Sequence, residues 1–136
     1  MRVVLWLFSL IFLLGCLTNS DFAEDVVGFE LPAGASLLTH STEFYNNPTG
    51  DGQELAIFSF HSDDSLLLAT NCIKYNYLPL PVNKEKLPDG AIYQWISTDD
   101  SCGYYKLNID PFDSTSYSLA VVNLFKKRLI VYRVFY

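Results

Sequence analysis

Tyr117-Ser118-Leu119-Ala120-Val121-Val122 and Leu129-Ile130-Val131-Tyr132-Arg133-Val134 decide the fold. Both runs are rich in β-branched and aromatic residues, and the cationic turn Lys126-Lys127-Arg128 lies between them, which is the layout of a β-hairpin. A half-solvated strand alternates apolar and polar residues. These two are apolar at neighbouring positions as well, so both faces of the hairpin require cover and its place is the middle of a sheet.

Working outward, Gly103-Tyr104-Tyr105-Lys106-Leu107 and Ala91-Ile92-Tyr93-Gln94-Trp95-Ile96 read as two more strands about the turn 97–101. Glu54-Leu55-Ala56-Ile57-Phe58-Ser59-Phe60 is a strong strand entered from the turn signal Asn46-Asn47-Pro48-Thr49-Gly50-Asp51-Gly52. Val26–Phe29 and Ala35–Thr39 are shorter candidates. The period changes after Phe60. Ser62 or Asp63 caps a helix, Asp63 and Asp64 suit its first turn, and Leu66, Leu67, Ala69, Thr70 and Ile73 continue it, with Cys72 in the last turn. Tyr77-Leu78-Pro79-Leu80-Pro81 leaves the helix as extended chain. The expected class is therefore α+β: an antiparallel sheet of five or six strands with one main helix packed on it.

The chain has 136 residues, enough for one domain, and 50% apolar with 18% charged residues excludes disorder. Part of that apolar content is N-terminal. Met1-Arg2 precedes the unbroken run Val3–Leu14, which Gly15-Cys16 follows, the layout of a secretory signal. A dozen residues span about 18 Å as a helix, well short of a bilayer core of about 30 Å.

Leu13-Leu14-Gly15-Cys16 resembles the lipobox of bacterial lipoproteins, with Leu14 where a smaller residue is more usual. The resemblance implies a signal peptide over 1–15, diacylglycerol on Cys16 and cleavage before it. Residues 16–25 are then the lipidated cysteine and a short polar tether, and 26–136 form a single domain. A flexible tether of about nine residues reaches some 15–20 Å. Lipidation also settles the cysteine count. Of three cysteines it removes Cys16 and leaves Cys72 and Cys102, which an oxidising compartment would join as one disulfide. Such a loop contributes about 3–4 kcal/mol. The implied location is the cell envelope, with the lipid anchor holding the protein to a membrane. Leu17 replaces the aspartate of inner-membrane retention, which places it on the periplasmic face of the outer membrane in a two-membrane cell. The remainder, with Glu30-Leu31-Pro32, His40, Gly50-Asp51-Gly52-Gln53 and the terminal hairpin, resembles an uncharacterised family of small bacterial domains, which carries a fold expectation and no activity.

Loss of Arg2 with the signal takes the formal charge from −6 to −7. Thirteen acids face three lysines over residues 17–105, a balance that argues against nucleic acid as a partner. There are two histidines, and no G-x-S-x-G, H-E-x-x-H or C-x-x-C motif occurs. No cofactor or metal is expected. Gly50-Asp51-Gly52 lacks the spacing of a calcium loop and reads as a turn. The one enzymatic candidate is His40 with Asp51 and Glu54 across a hairpin, the makings of a small hydrolase or a metal-dependent enzyme. The stronger functional signal is aromatic. Tyr93, Trp95, Tyr104 and Tyr105, with Tyr75 and Tyr77, flank or line the segment between the two cysteines, and Tyr and Trp suit protein interfaces. Adjacent strand residues face opposite sides, so at least one of Tyr104 and Tyr105 is expected at the surface or at the helix edge. The expectation is a non-enzymatic module that binds a protein partner in the envelope, inhibition of a toxin or an envelope hydrolase being one such role.

Overall fold

The structure is a computed structural model and describes residues 18–44, 51–87 and 100–136. Two helices, α1 (Thr18–Val27) and α2 (Ser65–Lys74), accompany six strands. These are β1 (Ser36–Phe44), β2 (Gly52–Ser59), β3 (Leu78–Pro79), β4 (Gly103–Ile109), β5 (Tyr117–Asn123) and β6 (Arg128–Phe135). They form one antiparallel sheet in the order β1-β2-β6-β5-β4-β3. The β5–β6 hairpin occupies its centre, in the register Asn123↔Arg128 to Tyr117↔Val134.

Central position explains the composition of these two strands. On one face Ala120, Val122, Leu129 and Val131 join Ala56 and Phe58, and the helices cover them with Phe22, Ala23, Val26, Val27, Leu68 and Cys72. On the other face Leu119, Val121, Ile130, Tyr132 and Val134 join Leu55, Ile57 and Tyr105, and Leu80, Val82 and Leu87 pack among them. Leu119, Val122 and Val131 have no exposed surface at all. Burial on both faces requires apolar residues at successive positions, as in strands covered on both sides. At about 1.5–3 kcal/mol for each large side chain, this two-sided core is the main stabilising term.

Backbone details fix the ends of the helices. Gly28 takes φ +83° and its N–H bonds Glu24 O, closing α1 with a left-handed residue. α2 follows a 3₁₀ turn over Ser62–Asp64 and ends at Asn76 (φ 61°), where Asn76 N donates to Ile73 O and Tyr77 N to Cys72 O. That closure drops Tyr77 into the helix-side core, and its hydroxyl donates to Val27 O (2.9 Å). Gly103 crosses so close to β5 that a Cβ there would stand 1.9 Å from Val122 O.

Four sequence expectations are corrected. The protein is mostly β with two short helices, in place of an α+β fold with one main helix. Residues 18–25, expected as a tether, belong to α1. Its apolar stripe of Phe22, Ala23, Val26 and Val27 packs on β5 and β6, with Asp21, Glu24 and Asp25 between. The period-3.6 stripe makes this a core helix. Val26–Phe29, expected as a strand, is the end of that helix and its turn. Finally, Cys72 and Cys102 form no disulfide: both thiols are free, Cys72 buried in the helix-side core and Cys102 exposed before β4. The inward-facing stripe of α2 that buries Cys72 holds it away from the sheet end where Cys102 stands. The expected strand 91–96 and the residues up to Cys16, lipid site included, lie outside the described residues.

Burial pushes the Cys72 thiol up to about 12, which leaves little thiolate at neutral pH. Under native conditions at pH 8 a maleimide should therefore modify Cys102 within minutes and Cys72 only after denaturation. Intact mass should show no change on reduction. A 2 Da rise on reduction would restore the disulfide.

Candidate functional site

Two regions bear on function. The first holds the histidine candidate. Antiparallel register sets Thr42, Glu54 and Arg133 in one row across β1, β2 and β6, with His40 one pair further along, opposite Ala56. All face the helix side. His40 Nε2 lies 3.0 Å from Glu54 Oε1, and Arg133 Nη2 donates to Glu54 Oε2 at 3.0 Å. Arg133 also lies 3.8 Å from Asp25 on α1, and its guanidinium stacks 4.8 Å from the Phe22 ring and 5.7 Å from the Phe135 ring. Glu54 is thus held by two partners, one of them a permanent cation.

Asp51 does not join this pair. It precedes Gly52, the first residue of β2, five residues from the Ala56 that His40 faces. At 3.3 Å per residue that is about 16.5 Å. The His40, Asp51, Glu54 trio is therefore not assembled; its His40–Glu54 half is, and it is tied to Arg133. No cluster of three metal-ligating side chains occurs among the described residues. The arrangement does mechanical work, joining α1 to the β1–β2 edge of the sheet.

The second region lies along α2. Leu68 and Cys72 face inward, while Leu66 (78% exposed), Leu67 (51%) and Ile73 (65%) face water. Leu66 and Ile73 are seven residues apart and share one stripe. Beside it runs an open groove of about 790 Å³ between α2 and the turn after α1, lined by Leu67, Asn71, Tyr75, Glu24, Glu30 and Leu31 among others. The Phe29 ring props its wall against Tyr75 (5.6 Å) and Tyr77 (6.0 Å), and Glu24 Oε1 accepts from Leu31 N (2.9 Å). The lining holds two carboxylates and no cation.

Of the aromatic residues expected to bind, Tyr104 and Tyr105 are engaged in packing. Tyr105 is buried on the face away from the helices, and Tyr104 is half-buried against the helix-side core. Tyr77 is buried, and only Tyr75 reaches the groove. Tyr93 and Trp95 lie outside the described residues. His61 is exposed, as expected, and packs against Gly34, where a Cβ would meet the ring at 2.8 Å. Asp63 and Asp64 sit in the 3₁₀ turn before α2, and Asp100 pairs with Lys126 at 2.9 Å. The outer leucines of α2 were missed, although their signal is present: 66, 67, 68, 69 and 73 surround the helix, more apolar surface than one sheet-facing side requires.

No protein-family model matches the chain, and no curated protein or solved structure is significantly similar to it. No helix among the described residues is long and apolar enough to cross a membrane.

If the Arg133 cluster is structural, Arg133→Met should destabilise the domain by about 1–3 kcal/mol, since Glu54 is left partly buried without its cation. His40→Ala should cost under about 0.5 kcal/mol, as expected of a half-exposed pair. Urea denaturation checks both; a His40→Ala loss as large as that of Arg133→Met would contradict the assignment.

Proposed function

We propose that the protein is a membrane-anchored, non-enzymatic protein-binding module of the cell envelope, and that its docking surface is the α2 face with the adjoining groove. The observation that carries this is the exposure of Leu66, Leu67 and Ile73 together on one short helix. None of the three contributes to the core, and each large apolar side chain left in water forgoes about 1.5–3 kcal/mol of burial. Clustered exposed apolar residues of this kind mark interaction sites.

The groove also supports one kind of partner. Glu24 and Glu30 border a groove of mixed lining in which Leu31 and Leu67 are the large aliphatic side chains, with Lys74 beside it over the Tyr75 ring (5.4 Å), on a chain of net charge −6. Its complement is a protein segment that offers an apolar side chain flanked by Lys or Arg. Cations would steer the encounter, and the buried apolar anchor would supply the affinity. The His40–Glu54 pair is the basis of the enzymatic alternative, and the Arg133 contact to the same carboxylate at 3.0 Å supports a structural role for it instead.

A photo-crosslinking residue at position 67 tests the surface in cells that express the protein natively, with position 39 on the exposed edge strand β1 as control. The expected result is one dominant protein adduct from position 67, mapped to an apolar segment with flanking cations, and its loss in Glu30→Lys. The same products from both positions would contradict the proposal.

A further inference from the structure

The sheet has two poles, and the chain enters at one of them. Phe22, in the N-terminal half of α1, lies against Arg133, whose guanidinium also covers Phe135, whereas Val27 at the other end of the helix meets Tyr77. The start of α1 therefore points toward the pole where β6 ends and β2 begins. β4 ends and β5 begins at that same pole. Their connecting loop lies two strand spacings, about 10 Å, from β6. It is joined to the C-terminus by a hydrogen bond from Tyr136 N to Ser116 Oγ (2.9 Å).

That loop carries an unusual side chain. Phe112 is 98% exposed, with Ile109 at 46% and Tyr136 at 58% on the same rim. Its tip is not loose. Asp110 Oδ1 accepts from Phe112 N (2.8 Å), and Asp113 accepts from Thr115 N, Thr115 Oγ1 and Ser116 Oγ. The hydroxyl of Thr115, with its N–H and Ser116, holds the Asp113 carboxyl below its ordinary range. Two Asx turns thus hold the loop in shape with the phenylalanine projecting, and no part of the fold uses that ring.

We propose that this pole rests on the lipid surface and that Phe112 enters the headgroup layer. The inference rests on the anchor proposed at Cys16. Helix α1 begins at Thr18, two residues after it. Two residues span at most about 7 Å, so there is no stalk, and the start of α1 is pinned beside the membrane. An apolar ring projecting from a polar loop gains burial by entering the headgroup and acyl boundary. The rim also bears on the lipid. Asp21, Glu43, Asp51, Asp110 and Asp113 lie toward this pole, and Arg133 is already engaged by Glu54 and Asp25, so anionic headgroups are repelled and those of zero net charge are favoured over them. The lysine-rich hairpin tip with the exposed Phe125 stands at the opposite pole.

The full-length protein, produced with its lipid, is reconstituted into phosphatidylcholine vesicles in two forms on a Cys102→Ser background. One carries an environment-sensitive fluorophore at Ser114→Cys and the other at Phe125→Cys, Cys72 being shielded by burial. Fatty-acid labelling with a Cys16→Ser control establishes the anchor separately. The expected result is a blue-shifted emission at 114 that brominated lipid quenches, no shift at 125, and loss of the shift at 114 in Phe112→Ser. A lipid-labelled protein whose position 114 emits as in water, or whose position 125 is the quenched one, overturns the orientation and leaves the anchor standing. A wild type without the fatty-acid label overturns the anchor and the orientation with it.

Discussion

Burial of the β5–β6 hairpin on both faces is the constraint on which the rest of the molecule depends. Successive residues Leu119, Ala120, Val121 and Val122 are each at most 2% exposed, so each face of the sheet requires its own cover. On one face the cover is helical, α1 and α2 together. On the other it is the chain around Leu80, Val82 and Leu87. A domain this small has few residues to spare for two cores, which is why α1 is drawn into the fold so close to the N-terminus.

The central hairpin was legible because its signal is strong and local: β-branched runs, no alternation and a cationic turn. The strands at Glu54 and Gly103 and the helix after Ser62 follow the same logic, and their bounds shift by only a residue or two. What was not legible is what depends on tertiary cover. Residues 18–27 look like a polar linker because Asp21, Glu24 and Asp25 dilute the stripe, and only the sheet beneath makes Phe22, Ala23, Val26 and Val27 a core face. The disulfide expectation came from parity alone, which says nothing of direction; Cys72 points into the core and Cys102 into solvent. Tyr104 and Tyr105 divide between the faces as strand geometry requires, yet the cover on each face turns both into packing residues.

Of the candidate site, the His40–Glu54 pair was legible from hairpin proximity, and Arg133 was not, since β6 meets β2 only through long-range pairing. That long-range partner ties the pair to β6 and, through Asp25, to α1. The α2 surface was overlooked for the opposite reason. Its leucines were read only as continuing the helix, whereas the helix buries just Leu68 and Cys72.

The two proposed surfaces are linked by α1. Its start lies toward the proposed membrane pole and its end, at Glu24 and Gly28, borders the groove, one helix length or about 15 Å away. A partner engaged there would be met close to the bilayer. This geometry stands only if α1 belongs to the cooperative fold and is not a tether. Native-state hydrogen exchange measures that directly. The amides of Val26 and Val27 should exchange with the same opening free energy as Val121 and Val131 in the central hairpin; α1 amides that exchange at the rate of an unstructured chain would contradict the account.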